Sequence, residues 1–480
     1  MVVTSANYRG SAERNPSLRE ILTSLSFALD LTEGATPGHA VRSDLLAMRI
    51  ATEAGVDART IAEAFYACLL KDVGCSSNAS RMCQIVGGDD LAVKAGAKLQ
   101  DWRSPYKPQL SAMKLLWKEV LPGSRRLERG LRIAKIALTQ ARNSAELIAM
   151  RCDRGAQIVR KLGMTEQVAL GVRYLDEHWD GGGYPEGLKG RAIPMISRLM
   201  GIAQHLDAFA GPQGEERAIT TLMARAGRWF DPELARAARS LHRQGRLWGQ
   251  CQPGADAEES RRALRDFDPG SETPLSEVDI DSICEAYSEV VDAKSPFTFR
   301  HSVRVMDAAT EIGRELGLAP ARLRMLRRAA LLHDVGKLGI PNTILEKPTQ
   351  LSAAEFERVK AHPGYGYEIL RGISSFQEIA LLAREHHERL DGSGYPHNLS
   401  GGDLGMESRI LATADTYAAL SETRPYREAL PPGEVAAIME KHQPQRLDHW
   451  SFEALRGLMA NESWFLNQPT FEGNAVCALG

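Results

Sequence analysis

The chain has 480 residues, 43% apolar and 25% charged, the balance of a globular protein rather than a disordered or fibrous one, and its length is enough for about three domains of ordinary size. Lys+Arg 59 against Asp+Glu 61 leaves a net charge of −2, which excludes the basic footprint of a general nucleic-acid binder. No run of about 18 residues stays apolar and uncharged, so no membrane span is expected, and MVVTSANYRGSAERNPSLRE lacks the zones of a secretory leader. The seven cysteines are odd in number and form no CxxC pair, which fits a reduced cytoplasmic chain without disulfides or a zinc knuckle. In chain order, GHAVRSDLLAMRIA around His39 comes first, followed by LLKDVGCSSN at 69–78. A basic stretch over 125–142 carries Arg125, Arg126, Arg129, Arg132, Lys135 and Arg142 against the single acid Glu128, which reads as a solvated helix face or a docking surface. LDEHWDGGGYP follows at 175–185, and residues 249–274, rich in Pro, Gly and acids, read as a linker.

The segments after the linker repeat those before it. RHSVRVMDAATEIG around His301 and LLHDVGKLGI at 331–340 echo the first two segments at a constant offset of 262 positions. HHERLDGSGYP at 386–396 echoes the third at an offset of 211, so the first copy holds 51 extra residues, placed near 79–140. LRMLRRAALLHD and AEFERVKAH space their apolar residues by three and four, and Pro and Gly cluster at LGIPNT and DGSGYP as helix stops. The expectation is an all-α chain of two tandem helical domains, 1–248 with the insertion and 275–480.

Nine of the twelve histidines lie beyond residue 240, and imidazole is the commonest transition-metal ligand. His301, His333-Asp334, His362, His386-His387 and Asp415 form the candidate constellation. Mixed nitrogen and carboxylate donors suit Mn, Fe, Zn or Ni better than Ca or Mg. Seven donors exceed the four of a closed structural zinc site and suit two metals that share a carboxylate and keep positions open for water. Such a pair acidifies a shared water and neutralises charge on phosphate oxygens.

LLHDVGKLGIP (331–341), HPGYGYEIL (362–370), HHERLDGSGYP (386–396) and RILATAD (409–415) followed by RPYR (424–427) resemble the HD-GYP family over essentially all of 275–460. The resemblance implies an α-helical member of the HD phosphohydrolases whose active relatives hydrolyse bacterial cyclic dinucleotides, chiefly cyclic di-GMP. By position it carries over His301, His333, Asp334, His362, His386, His387 and Asp415 as ligands, with Asp334 as the bridge. Lys337, close to one helical turn past Asp334, is placed to face the same cavity and hold charge in the transition state. Arg424 and Arg427 suit phosphate or guanine contacts. Gly392, Gly394, Tyr395 and Pro396 form a tight loop that offers a ring and a hydroxyl to substrate.

Three positions depart from the family: Phe297 where three-metal members place a carboxylate, which argues for two metals, Ala418 in place of an Asp, and Ser295 in place of another. The leading expectation is a phosphodiesterase opening cyclic di-GMP to linear pGpG or GMP with two divalent ions, Fe or Mn ahead of Ni or Zn. Hydrolysis of cyclic GMP-AMP or another nucleotide is one alternative. A non-catalytic scaffold that docks proteins through its GYP loops or N-terminal domain is the other, and a homodimer is compatible with either. In the first copy the matching positions hold His39, Lys71, Asp72, Arg151, Leu175, Asp176 and Gln204. Cationic Lys71 and Arg151 would repel metal, so that half is expected to be catalytically dead.

Overall fold

The computed structural model describes residues 15–98, 110–249, 257–265, 274–298, 300–425 and 427–460. Among them it is 69% helical, and extended contacts are limited to isolated β-bridges. The architecture is two tandem HD-type helical halves. Residues 250–256 and 266–273 of the expected linker lie outside the described residues, but Ala257–Arg265 between them is a helix. That helix buries Ser260 and Leu264, and the Arg261 guanidinium stacks 4.2 Å over the Phe27 ring.

Local sequence signals place the second half's helices. Glu277–Asp292 starts with a Ser276/Asp279 capping box, Ala353–Lys360 with a Ser352/Glu355 box, and Pro320–Leu332 with proline in its first turn. Pro320–Leu332 buries Leu326, Ala329, Ala330, Leu331 and Leu332 and ends directly on His333-Asp334. A 3-10 turn, Val335–Gly339, follows. A Cβ on Gly336 would lie 2.0 Å from the His362 carbonyl oxygen, and one on Gly74 would lie 2.0 Å from that of Arg151. The Asp-Val-Gly of each copy is therefore a close backbone crossing that only glycine allows.

The halves embrace reciprocally. Leu18–Thr32, the first helix of one half, lies on Val335–Gly339 and His362–Leu370 of the other. Glu277–Asp292, its repeat partner, lies on Cys75–Asn78 and Arg126–Lys161. One apolar core runs through both halves, with Leu25, Leu29 and Phe65 on one side and Tyr287, Leu331 and Leu382 on the other. The insertion forms the helices Ala79–Val86, Asp90–Lys98 and Leu110–Glu119 and the start of the 36-residue helix Arg126–Lys161. It has a small core of its own in Val86, Val93, Val120 and Ile133. In its basic stretch, Arg125, Arg126 and Lys135 are exposed. Arg129 and Arg132 instead donate to the carbonyls of Leu121 (3.1 Å) and Ile85 (2.9 Å), and the side chain of Arg142 lies outside the described residues. The insertion also bonds to the second half, where Asp90 accepts from the Asn342 amide at 2.8 Å and stands 3.8 Å from the buried Lys294 ammonium. No helix among the described residues is long and apolar enough to cross a membrane.

Candidate metal centre

Most of the seven candidate donors sit at helix ends, which makes their positions rigid. His301 opens His301–Glu315, His333 closes Pro320–Leu332, His362 opens His362–Leu370 and His386 closes Gln377–Glu385. Asp415 projects from the middle of Met406–Leu420. Three imidazoles repeat one device: Nδ1 of His333, His362 and His386 meets the carbonyl three residues back, of Ala330 (2.7 Å), Val359 (2.6 Å) and Ala383 (2.7 Å). Those carbonyls lie in the last helical turn, where the amide four residues on is missing from the ladder. The bond satisfies them, fixes the proton on Nδ1 and turns the Nε2 lone pair inward.

Asp334 stands between two groups. Its Oδ2 lies 3.3 Å from His333 Nε2 and 3.6 Å from His301 Nε2, and His301 is in turn 3.3 Å from Asp415 Oδ1. Its Oδ1 lies 3.3 Å from His362 Nε2 and 3.7 Å from His386 Nε2, with His387 Nδ1 reaching Asp415 Oδ2 at 3.6 Å. The donors of His301, His333 and Asp415 lie within 4.8 Å of one another, as do those of Asp334, His362, His386 and His387. His301 Nε2, His333 Nε2 and Asp334 Oδ1 are buried without a hydrogen-bond partner, a costly state for polar atoms that a cation would relieve. Despite burial, His333 and Lys337 hold the Asp334 carboxyl well below its usual range, and His301 and His387 do the same for Asp415. Burial pushes His362, His386 and His387 down, toward neutral imidazoles. Anionic carboxylates and neutral imidazoles are the states metal binding requires; His301 is instead raised, against burial, to about 9 by Glu422 and Asp415, and an ion there would take the place of its proton. The donor set fits two divalent ions.

Two carboxylates that sequence reasoning missed hold this arrangement. Glu422 accepts from His301 Nδ1 at 2.9 Å and from Arg304 at 3.0 Å. In the first half His39 Nδ1 meets Asp207 at 2.7 Å, and Arg42 meets the same carboxylate at 2.7 Å. Asp207 corresponds to Ala418 by the repeat offset, so in the second half the carboxylate has moved one helical turn on, to Glu422. The repeat itself carries the signal for this exchange. Glu388, after the His-His pair, accepts from the amides of His397 (2.7 Å) and Leu399 (3.0 Å) and so staples the loop beyond it. Glu177 does the same with Glu186 (2.8 Å) and Gly187 (3.0 Å).

Lys337 Nζ rests on Asp334 Oδ2. The Tyr395 ring lies 4.8 Å from that of His387, and burial pushes its phenol up, keeping the proton. Gly394 and Pro396 flank it, with a cis bond between Tyr395 and Pro396. Arg424 turns to Glu422 at 3.3 Å, beside His301. Arg427 departs from the sequence expectation of a substrate contact. Its guanidinium donates to the carbonyls of Ala419 (2.8 Å), Leu420 (2.9 Å) and Glu428 (3.0 Å), which caps the helix carrying Asp415.

In the first half, cations occupy the corresponding space. Lys71 pairs with Asp72 and Arg151 with Asp176, while Lys98 and Lys94, both from the insertion, stand 2.9 and 3.6 Å from Glu33. Glu33, Asp72 and Cys75 do converge, but their carboxylates are already neutralised and burial pushes the Cys75 thiol well up, which leaves a poor donor set.

A family model described as "HD domain" matches residues 133–234 and 285–450. The 3'3'-cGAMP-specific phosphodiesterase 3 of Vibrio cholerae is 38% identical over 446 residues, covering 93% of this chain and 95% of that protein. The chain belongs to the HD-GYP family. The crystal structure of the V. cholerae cyclic GMP-AMP specific phosphodiesterase V-cGAP3 superposes with a TM-score of 0.64 at 35% identity, covering 95% of this chain and 99% of that one. The cyclic di-GMP phosphodiesterase response regulator RpfG of Xanthomonas campestris is 44% identical over 128 residues, 26% of this chain and 34% of that protein. The V. cholerae phosphodiesterase 3 and the V-cGAP3 crystal structure match nearly the whole length of the chain.

Proposed function

We propose that the second half is a metal-dependent phosphodiesterase that opens 3'3'-cyclic GMP-AMP, and that the first half is a non-catalytic copy. The observation that carries the reading is the split Asp334 carboxylate, with one oxygen toward His301 and His333 and the other toward His362 and His386. Two divalent ions held by the seven donors, Mn or Fe by the donor chemistry, would polarise the scissile phosphate and a water. The rest of the chemistry falls to the chain. Water adds to phosphorus, the P–O3' bond breaks, and a linear dinucleotide with a 5'-phosphate and a free 3'-hydroxyl leaves. Lys337, held at the edge of the donor cluster by Asp334, offers an ammonium to the phosphate oxygens as negative charge grows on them. Tyr395 keeps its proton and offers a ring and a hydroxyl beside His387. Arg424 supplies a guanidinium for the second phosphate or a base.

Kinship along the full chain favours cyclic GMP-AMP over the cyclic di-GMP expected from motifs alone, because the relative that matches both halves is named for cyclic GMP-AMP. Cyclic di-GMP is the second reading, supported by RpfG over about a quarter of the chain. The test is hydrolysis of both dinucleotides, of cyclic di-AMP and of bis(p-nitrophenyl) phosphate by Mn-loaded protein, with products separated by chromatography. Cyclic GMP-AMP should be consumed at least tenfold faster than cyclic di-GMP. Equal rates would remove the specificity, and turnover of the generic ester alone would remove the cyclic dinucleotides.

A further inference from the structure

The first half has lost its metal donors but kept a cleft. A cavity of about 170 Å³ opens where the second half places His387 and Asp415, and the replacements Asp176 and Gln204 line it. Its GGGYP loop is held as in the catalytic half, by Glu177 on two backbone amides, and Tyr184-Pro185 has the same cis bond as Tyr395-Pro396. A Cβ on Gly183 would lie 2.2 Å from the His178 amide, the same crowding Gly394 meets at Arg389.

What lines this cleft is not a catalytic set. His205 is 6% exposed, and its Nε2 has no hydrogen-bond partner. Arg225 approaches His205 Nδ1 at 3.4 Å. A guanidinium only donates, so Nδ1 accepts and Nε2 carries the proton. Burial, and then Arg225, hold this imidazole well below its usual range, so it stays neutral. Trp229 Nε1 and Arg198 Nε are likewise buried without partners. The Trp229 ring is stacked on His178 at 4.5 Å and 16° and has the Arg225 guanidinium 4.2 Å from its centroid. These three residues line the cavity, and each keeps one buried donor without an acceptor. One carboxylate oxygen, Glu177 Oε2, is buried there with no hydrogen bond of normal geometry, and the Leu188 amide is the backbone donor near this carboxylate besides Glu186 and Gly187. Each such group costs free energy unless a ligand pairs with it. A ligand that satisfies them carries acceptors on one edge and donors on another. Guanine does so, with O6 and N7 as acceptors and its exocyclic amine as a donor. Adenine presents an amine where guanine has O6.

We propose that the first half is a metal-free receptor for a guanine nucleotide, bound in this cleft with the base on His205, Trp229, Arg198 and Glu177. The choice of nucleotide rests on the proposed activity, whose substrate and products contain guanine; the cleft and its unpaired groups do not. The site would let the enzyme sense its own product at a place that cannot destroy it.

Equilibrium dialysis with GMP tests the proposal on full-length Asp334→Asn protein, in which the second half's centre is disabled. One GMP should bind per chain, and AMP should bind at least tenfold more weakly. Gly201→Phe should weaken GMP at least tenfold by filling the cavity. A Cβ at Gly201 meets only the Leu175 carbonyl oxygen, at 3.8 Å, so the backbone there accepts a side chain. His205→Phe, which removes the Nε2 donor, should have the same effect and serves if Gly201→Phe does not fold. Absence of stoichiometric GMP, or binding that survives both substitutions, overturns the site. Should wild-type protein hydrolyse no cyclic dinucleotide while GMP still binds Asp334→Asn protein, the enzymatic reading falls and the receptor stands.

Discussion

Replacing Glu422 tests whether the metal centre depends on a carboxylate that no family motif announces. The His301 Nδ1–Glu422 contact is 2.9 Å and buried, with Arg304 on the other oxygen at 3.0 Å. Desolvation of the fully buried His301 ring opposes protonation, yet Glu422 and Asp415 lift it to about 9, so Glu422 favours positive charge at this imidazole. A hydrogen bond to a charged group is worth about 1.5–3 kcal/mol, and about 1.4 kcal/mol is tenfold in binding, so loss of Glu422 should weaken the metal held by His301, His333 and Asp415 roughly 10- to 100-fold. Glu422→Gln, which keeps an acceptor oxygen, belongs at the lower end, and Glu422→Ala at the upper. The ion among His362, His386 and His387 should be nearly unaffected. Titration of Mn into metal-stripped protein against a competing chelator resolves the two affinities. Ala418→Asp added to Glu422→Ala recreates the Asp207 arrangement of the first half and should recover most of the loss. Unchanged affinities in Glu422→Ala, or equal weakening of both, would refute the assignment.

Asp90→Ala leaves the Lys294 ammonium buried without its carboxylate and the Asn342 amide without its acceptor; chemical denaturation at pH 7 should register a loss of about 3–5 kcal/mol. Burial raises the Asp44 carboxyl well above the usual range, so the folded chain keeps a proton that the unfolded chain releases above about pH 4. Stability contributed by this residue therefore falls as pH rises from there toward the folded value. Asp44→Asn should gain on the parent by up to about 1.4 kcal/mol per pH unit, read from urea midpoints at pH 5, 6 and 7, and a constant gap would mean that Asp44 is ionised. A Cβ at Gly394 would lie 2.4 Å from the Arg389 amide nitrogen and Glu388 Cα, so Gly394→Ala must displace the GYP loop. Hydrolysis should fall at least tenfold while metal content is unchanged, and loss of metal would place the loop in the metal centre instead.

The helical class and the convergence of the seven donors are legible in the sequence because both rest on local signals: three- and four-residue apolar spacing, and histidines placed at helix ends. The residues that orient those donors are not, because their partners are distant along the chain. Glu422 is 121 positions from His301 and Asp207 is 168 from His39, and neither pairing has a local pattern. Arg427 shows the opposite failure. A guanidinium beside a ligand segment reads as a phosphate clamp, but here the open end of Met406–Leu420 needs donors for its last carbonyls, and Arg427 supplies them. The insertion's part is equally hidden: Lys94 and Lys98 belong to a helix with no counterpart in the second copy, yet they neutralise Glu33 inside the degenerate centre. The repeat is the one long-range signal the sequence does contain, and the Ala418–Asp207 correspondence points along it to the missing carboxylate.

If the proposed function holds, hydrolysis occurs at a two-ion centre built on Asp334 and nowhere else in the chain. The direct measurement is the rate of cyclic GMP-AMP hydrolysis by full-length protein as Mn is restored stepwise, with bound metal counted on the same samples by elemental analysis. Activity should stay near zero up to one ion per chain, rise as occupancy approaches two and then plateau, and both metal and activity should vanish in Asp334→Asn. Full activity at one ion, a third ion retained by Asp334→Asn, or turnover by that variant would contradict the claim.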